Sequence, residues 1–234
     1  MSHISQDDRA FMRTRNLGLS LACQAVSKSK TLSRYLRLII DHAEFNAWVS
    51  TRFPDSQFRW TRETLWAACA QEMQKIRLGY QVLEFGVFHG YTTAWWLENA
   101  TTTFDTWHGF DTFTGLSEPW RDLPRKTFDA SGIPPTFADS RVSFVVGDVQ
   151  NTVVSVQLDS RPKLLIFDLD LIKPTRACWD YLEPFLNSHD LLIFDEAFDS
   201  GERSIIEDEV IQTFKVTGIA HTHTALALKI LRRK

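Results

Sequence analysis

Between residues 81 and 196 the chain repeats one device five times: a short apolar run that stops on Gly, Asp or Glu. The runs are QVLEFG, TWHGFD, VSFVVGD, KLLIFDLD and DLLIFDE. Apolar runs of this length are strands buried on both faces, and such a sheet is stable only when helices cover it above and below. The stretches between the runs suit that demand, with helices predicted near 90–100, 150–157, 174–187 and 202–214. The alternation predicts an α/β chain with a Rossmann-like, doubly wound, mostly parallel sheet and right-handed crossovers. The last segment, GIAHTHTALALKILRR, reads as two strands joined tightly, an antiparallel pair at one sheet edge that brings the expected strand count to seven.

Residues 80–234 are thus expected to form the sheet domain and residues 1–79 a helical extension that acts as a lid or as a homodimer surface. In the extension, SRYLRLIIDHAEFNAWV and TRETLWAACAQEMQKIRLG space apolar residues three and four apart, and the second opens on Thr61 and Thr64 and closes on Gly79. Residues 112–140 are longer than the roughly 12–15 residues of an ordinary structureless connection. They are either a functional lid or an excursion with a short helix of its own. Phe113, Trp120, Phe128 and Phe137 in it suit a water-excluding cover or core packing equally.

A net charge of −3 with no long basic run excludes nucleic acid as the main partner, because phosphate binding needs clustered Lys and Arg. No stretch approaches the roughly 20 apolar residues of a membrane span, and the N-terminus lacks a signal-peptide pattern, so no membrane partner and a cytoplasmic location are expected. Cys23, Cys69 and Cys178 show neither CxxC nor Cys/His spacing and read as reduced thiols.

In doubly wound sheets, ligands bind beyond the carboxyl ends of the strands. The first such end reads LEFGVFHG, an E-x-G-x-x-x-G pattern in place of the dinucleotide fingerprint. Glu84 ends the strand, Gly86 lets the turn pass close to a ligand, and Gly90 starts the helix against it. Asp111 stands where an acid can hold ribose hydroxyls, and Asp148 or its neighbouring backbone where an adenine edge would lie. Each alone is as readily a turn or cap residue. Together they describe a site for S-adenosylmethionine, whose cationic sulfonium tolerates an acidic pocket.

The fourth and fifth runs carry the second constellation. Asp168 and Asp170, two apart, share a side if the strand stays extended, and a neighbouring strand about 4.8 Å away would end on Asp195 and Glu196. Carboxylates this close need a cation or a shared proton between them, and a hard divalent ion suits oxygen ligands. The alternatives are that Asp170 caps the next helix and that Asp195 and Glu196 are solvated loop residues. Lys173 is a second candidate base or a solvated side chain; His89 and His108 touch ligand or are structural; Trp95 and Trp96 read as core.

VLEFGVFHG, HGFDTFTGLSEPW, VVGDVQNTV and IFDLDLIKPTRACWDYLEPFLNSHDLLIFDEAFD, in that order over roughly residues 80–215, resemble the macrocin O-methyltransferase (TylF) family of class I S-adenosylmethionine-dependent methyltransferases. The resemblance implies a magnesium-dependent enzyme that methylates a hydroxyl of a small-molecule acceptor, a sugar or other natural-product intermediate. It puts Asp168, Asp195 and Glu196 on metal positions, Asp170 on the general base, and Glu84, Gly86, Asp111 and Asp148 on cofactor positions. The chain departs from the family where D-L-Y becomes Asp170, Leu171, Ile172, where two aspartates become Asp195 and Glu196, and where Gly-Gly becomes Ser188, His189, Asp190. The missing Tyr bears on the acceptor. Competing readings are a catechol-like or peptidyl hydroxyl as acceptor, or a non-catalytic binding protein that kept the fold.

Overall fold

A computed structural model describes residues 19–20 and 22–234. The chain divides between Glu44 and Phe45 into two compact units. The described part of the first is helical and includes the start of α1 (Lys30–Arg52). The second unit begins well before the expected boundary at residue 80, because Phe45, Val49 and Phe53 are already buried in its core. Helix α2 (Arg62–Gln74) likewise buries Leu65, Trp66, Cys69 and Met73.

The sheet has eight strands: β1 (Gln57–Phe58), β2 (Tyr80–Phe85), β3 (Phe104–Asp111), β4 (Val142–Val146), β5 (Lys163–Phe167), β6 (Leu191–Phe194), β7 (Phe214–His221) and β8 (Leu226–Arg233). Their order is β1-β7-β8-β6-β5-β2-β3-β4. All pairings are parallel except those of β8, which runs antiparallel to both β6 and β7. One expectation is corrected here: the two-residue β1, too short to show any period, adds an eighth strand outside the β7–β8 pair. That pair is antiparallel and stands toward one edge of the sheet as expected, with β8 on its inner side. The tight turn after His221 forces β8 back alongside β7, and Leu226, Ala227, Leu228 and Ile230, all fully buried, suit a central place.

Alternation along the parallel strands divides the core into two layers. Leu83, Phe85, Leu165, Phe167, Leu192 and Phe194 enter one; Val82, Leu164, Ile166, Leu191 and Ile193 enter the other. The covering helices are α3 (Tyr91–Asn99), the single turn α4 (Val149–Thr152), α5 (Ile172–Leu182) and α6 (Ser200–Ile205), the last continued by a π turn at Ile206–Val210. Among the described residues no helix is long and apolar enough to cross a membrane.

Four phenylalanines tie this core to the strand ends. Phe110, Phe85, Phe167 and Phe194 are register partners on neighbouring strands. Their rings stack in one row, with centroids 5.1, 5.5 and 4.8 Å apart in turn. The residues that follow them are Asp111, Gly86, Asp168 and Asp195. A continuous aromatic floor therefore levels four positions of the predicted site.

Candidate active site

A cavity of about 320 Å³ opens beyond this floor. Gly86, Asp111, Asp148, Asp168, Asp170, Asp195 and Glu196 all line it, so the two predicted constellations share one chamber. Glu84 and Gly90 do not line it.

Glu84 is only 1% exposed and points between α3 and β3. Its Oε2 accepts from Thr93 Oγ1 at 2.5 Å and Trp107 Nε1 at 2.8 Å, its Oε1 has no partner, and burial pushes its pKa up to about 8. The expected cofactor carboxylate is an internal acid, because at the last-but-one position of β2 the alternation sends its side chain into the helix-covered layer. Gly90, with φ 76°, is the N-cap of α3, packed against Pro135 and Phe137 of the long loop.

Gly86 is where close approach is decisive. It has φ 90°, and a Cβ there would lie 1.7 Å from the carbonyl oxygen of Asp168. The turn after β2 therefore rests directly on the backbone of the acid cluster. Asp111 holds the same turn from the other side: Oδ2 accepts from the N–H groups of Val87 and Phe88, and Oδ1 from that of Phe113, all at 2.8 Å. Three of a carboxylate's roughly four acceptor positions are thus filled, leaving about one toward the cavity. Asp148 caps α4 through Gln150 N–H at 3.0 Å while lining the cavity, so its cap and ligand readings coexist.

At the acidic end the structure supplies a residue that sequence reading missed. Arg62 Nη2 donates to Asp168 Oδ2 at 2.6 Å and to Asp195 Oδ2 at 2.7 Å. The convergence of Asp168 and Asp195 is as expected, but a guanidinium lies between them. Among the described residues no three His, Cys, Asp or Glu side chains are placed to hold a metal ion. The donor set as arranged does not fit the expected magnesium, since Asp168 Oδ2 and Asp195 Oδ2 are both committed to the Arg62 guanidinium. A second missed group, Glu202 on α6, is 3% exposed and accepts from Glu196 N–H at 3.1 Å.

Burial is the main influence on these acids. It pushes Glu196 up to about 9, helped by Asp195 and Asp170, and raises Glu202 well above the usual range, helped by Glu196. It also raises Asp168 and Asp195, against the pull of Arg62. The Arg62 guanidinium in turn is held charged by Asp168 and Asp195, which outweigh its own burial.

Asp170 differs from its neighbours. Its φ is 60°, and Leu171 N–H reaches back across it to Leu169 C=O at 2.6 Å, a tight three-residue turn. The cap of α5 is Leu171, with no side-chain capping bond, so the capping alternative for Asp170 is excluded. Burial, then Asp168, pushes the Asp170 carboxyl up to about 7.

Residues 112–140 contain no helix. They are pinned on themselves by Leu116 and Thr127, whose backbones bond at 2.9 Å, and Leu116, Trp120 and Phe128 line the cavity. Arg121 fastens the loop to the far wall, donating to Asp199 at 2.8 Å and lying 4.1 Å over the Phe198 ring. Phe113 is fully buried and packs edge-on to Phe144. His89 lines the cavity; His108 instead pairs with Ser143. Lys173 is 74% exposed, 3.9 Å from Glu118.

Residues 83–197 match a family described as a methyltransferase domain. This stretch is similar to that family of methyltransferase domains. It runs from within β2 to just past β6 and includes Gly86 and the cavity-lining Asp111, Asp148, Asp168, Asp170, Asp195 and Glu196. No curated protein matches the chain significantly in sequence. Among solved structures it is similar to the O-methyltransferase NovP, at 16% identity and a TM-score of 0.56 over 73% of this chain and 80% of that one. It is also similar to CalS11, a calicheamicin methyltransferase, at 17% identity and a TM-score of 0.54 over 97% of this chain and 94% of that one. At such identities the likeness is one of fold, and the chain shares the fold of these enzymes.

Proposed function

We propose that the chain is an S-adenosylmethionine-dependent O-methyltransferase of the macrocin type, acting on a hydroxyl of a small molecule such as a sugar or other natural-product intermediate. The names of NovP and CalS11 support the reaction and the acceptor class. The observation that carries the reading is Asp170: a cavity-lining carboxylate on a strained turn, in the same chamber as the Gly86 turn.

Gly86, Asp111 and Asp148 would hold the cofactor, and the close-packed Gly86 turn leaves its backbone facing the cavity free of any side chain. When bound, the cofactor supplies an electrophilic methyl on a sulfonium. Asp170 would take the acceptor's hydroxyl proton on a carboxylate oxygen as that hydroxyl is methylated. Arg62 holds Asp168 and Asp195 in place, so that the wall behind Asp170 does not shift. Trp120 and Phe128 exclude water from above. No step is routed through magnesium. A homodimer joined through the N-terminal helices and a cytoplasmic location belong to the same reading.

Calorimetry with S-adenosylhomocysteine tests it first: the chain should bind one equivalent. A protein that fails to bind it is the non-catalytic binding module of the competing reading. The catechol-like and peptidyl acceptors are separated from sugars by assaying methyl transfer from labelled S-adenosylmethionine to each class.

A further inference from the structure

We propose that Arg62 is the resident cation of this site, holding Asp168 and Asp195 where a divalent ion would otherwise be required, so that methyl transfer in this chain needs no metal. This rests on the methyltransferase reading and deepens it.

The first ground is geometry. One nitrogen, Arg62 Nη2, meets both oxygens at 2.6 and 2.7 Å, and the Asp195 side chain is only 7% exposed. The second is that the arginine is built in. Thr61 caps α2 by accepting from Thr64 N–H while Thr64 Oγ1 accepts from Thr61 N–H, a reciprocal box that fixes the first turn of the helix and hence the departure of Arg62 from it. Its guanidinium also lies 5.8 Å over the Trp66 ring, one turn on. The third is that this is the wrong helix end for a cation. The amino-terminal dipole disfavours positive charge, so the facing acids and the Trp66 ring must make the placement favourable. Arg62 is a positioning residue, and unlike a metal ion it does not dissociate or deprotonate at physiological pH.

Manganese, a paramagnetic substitute for magnesium, reads the claim without any acceptor. Wild-type protein should leave the spin-resonance signal of free Mn²⁺ undiminished at millimolar protein, and S-adenosylhomocysteine should bind with the same Kd in EDTA as in Mg²⁺. Arg62→Ala should take up one Mn²⁺ per chain and lose it again when Asp195→Asn is added. Stoichiometric uptake by the wild type overturns the proposal. A folded Arg62→Ala that takes up none overturns it too, since the guanidinium then does not stand in an ion's place. If Arg62→Ala does not fold, the wild-type titration decides alone. Failure of S-adenosylhomocysteine to bind counts against the methyltransferase reading instead, because the manganese measurements do not depend on it.

Discussion

Asp170 occupies a backbone conformation, φ 60°, that costs most residues but that Asn and Asp visit more readily than others. Asn is therefore the clean probe: Asp170→Asn keeps the turn and removes the base. The variant should bind S-adenosylhomocysteine as the wild type does and lose turnover by roughly 10²–10⁴-fold; unchanged turnover would remove Asp170 from the chemistry. A base must be ionised to act, and burial has moved this one up to about 7, so wild-type turnover should fall as pH drops below that point. Glu84 makes the opposite kind of prediction, one of stability. Its ordinary value is 4.5 and burial raises it to about 8, so between those values the folded chain keeps a proton that the unfolded chain has released. Stability must then decline as pH rises through that window. Glu84→Gln mimics the protonated form and should melt higher than wild type at pH 8 and together with it near pH 4.5; indistinguishable melting at pH 8 would show that the carboxyl is ionised in place.

Among the elements, the turn joining β2 to α3 is the most constrained, and two glycines separate the causes. Gly86→Ala meets the Asp168 carbonyl at 1.7 Å as well as an unfavourable φ, whereas Gly132→Ala has a similar φ, 70°, with its nearest neighbour at 3.9 Å. The second should cost about the 1–2 kcal/mol of a left-handed alanine. The first should cost clearly more and also lose S-adenosylhomocysteine binding, as paired thermal melts and calorimetry would show; equal effects would mean that the contact with Asp168 is easily relieved. These elements also mark what sequence can and cannot reveal. The runs of β5 and β6 were legible because burial at every position leaves the strand almost wholly apolar up to the acids that end it. β1 was not, having two residues, and neither was the inward turn of Glu84, since alternation does not say which layer a strand's last residues face. Arg62 and Glu202 escaped for another reason. Arg62 lies 106 residues from Asp168 and starts a helix, where a charged residue ordinarily faces water, and Glu202 differs from any helical Glu only in what packs over it.

At the scale of the whole molecule, the site is only as level as the sheet beneath it. The stacked row of Phe110, Phe85, Phe167 and Phe194 crosses β3, β2, β5 and β6 directly under the residues that build the cavity. Removing a ring from the middle of that row should act twice, on stability and on ligand affinity. Phe167→Ala, at a position fully buried, should cost about 3–5 kcal/mol, with a fall in Tm of roughly 2–4 °C for each kcal/mol in a chain of this length. Because Gly86 and Asp168 lose their support, S-adenosylhomocysteine should bind more weakly as well, even at temperatures where the variant is fully folded. Phe214, equally buried in the same core layer but packed against Trp179 at the start of β7, provides the control. Phe214→Ala should lower Tm by a similar amount and leave affinity unchanged. If both variants weaken binding alike, the aromatic row is ordinary core, and the strand ends hold their level by backbone pairing alone.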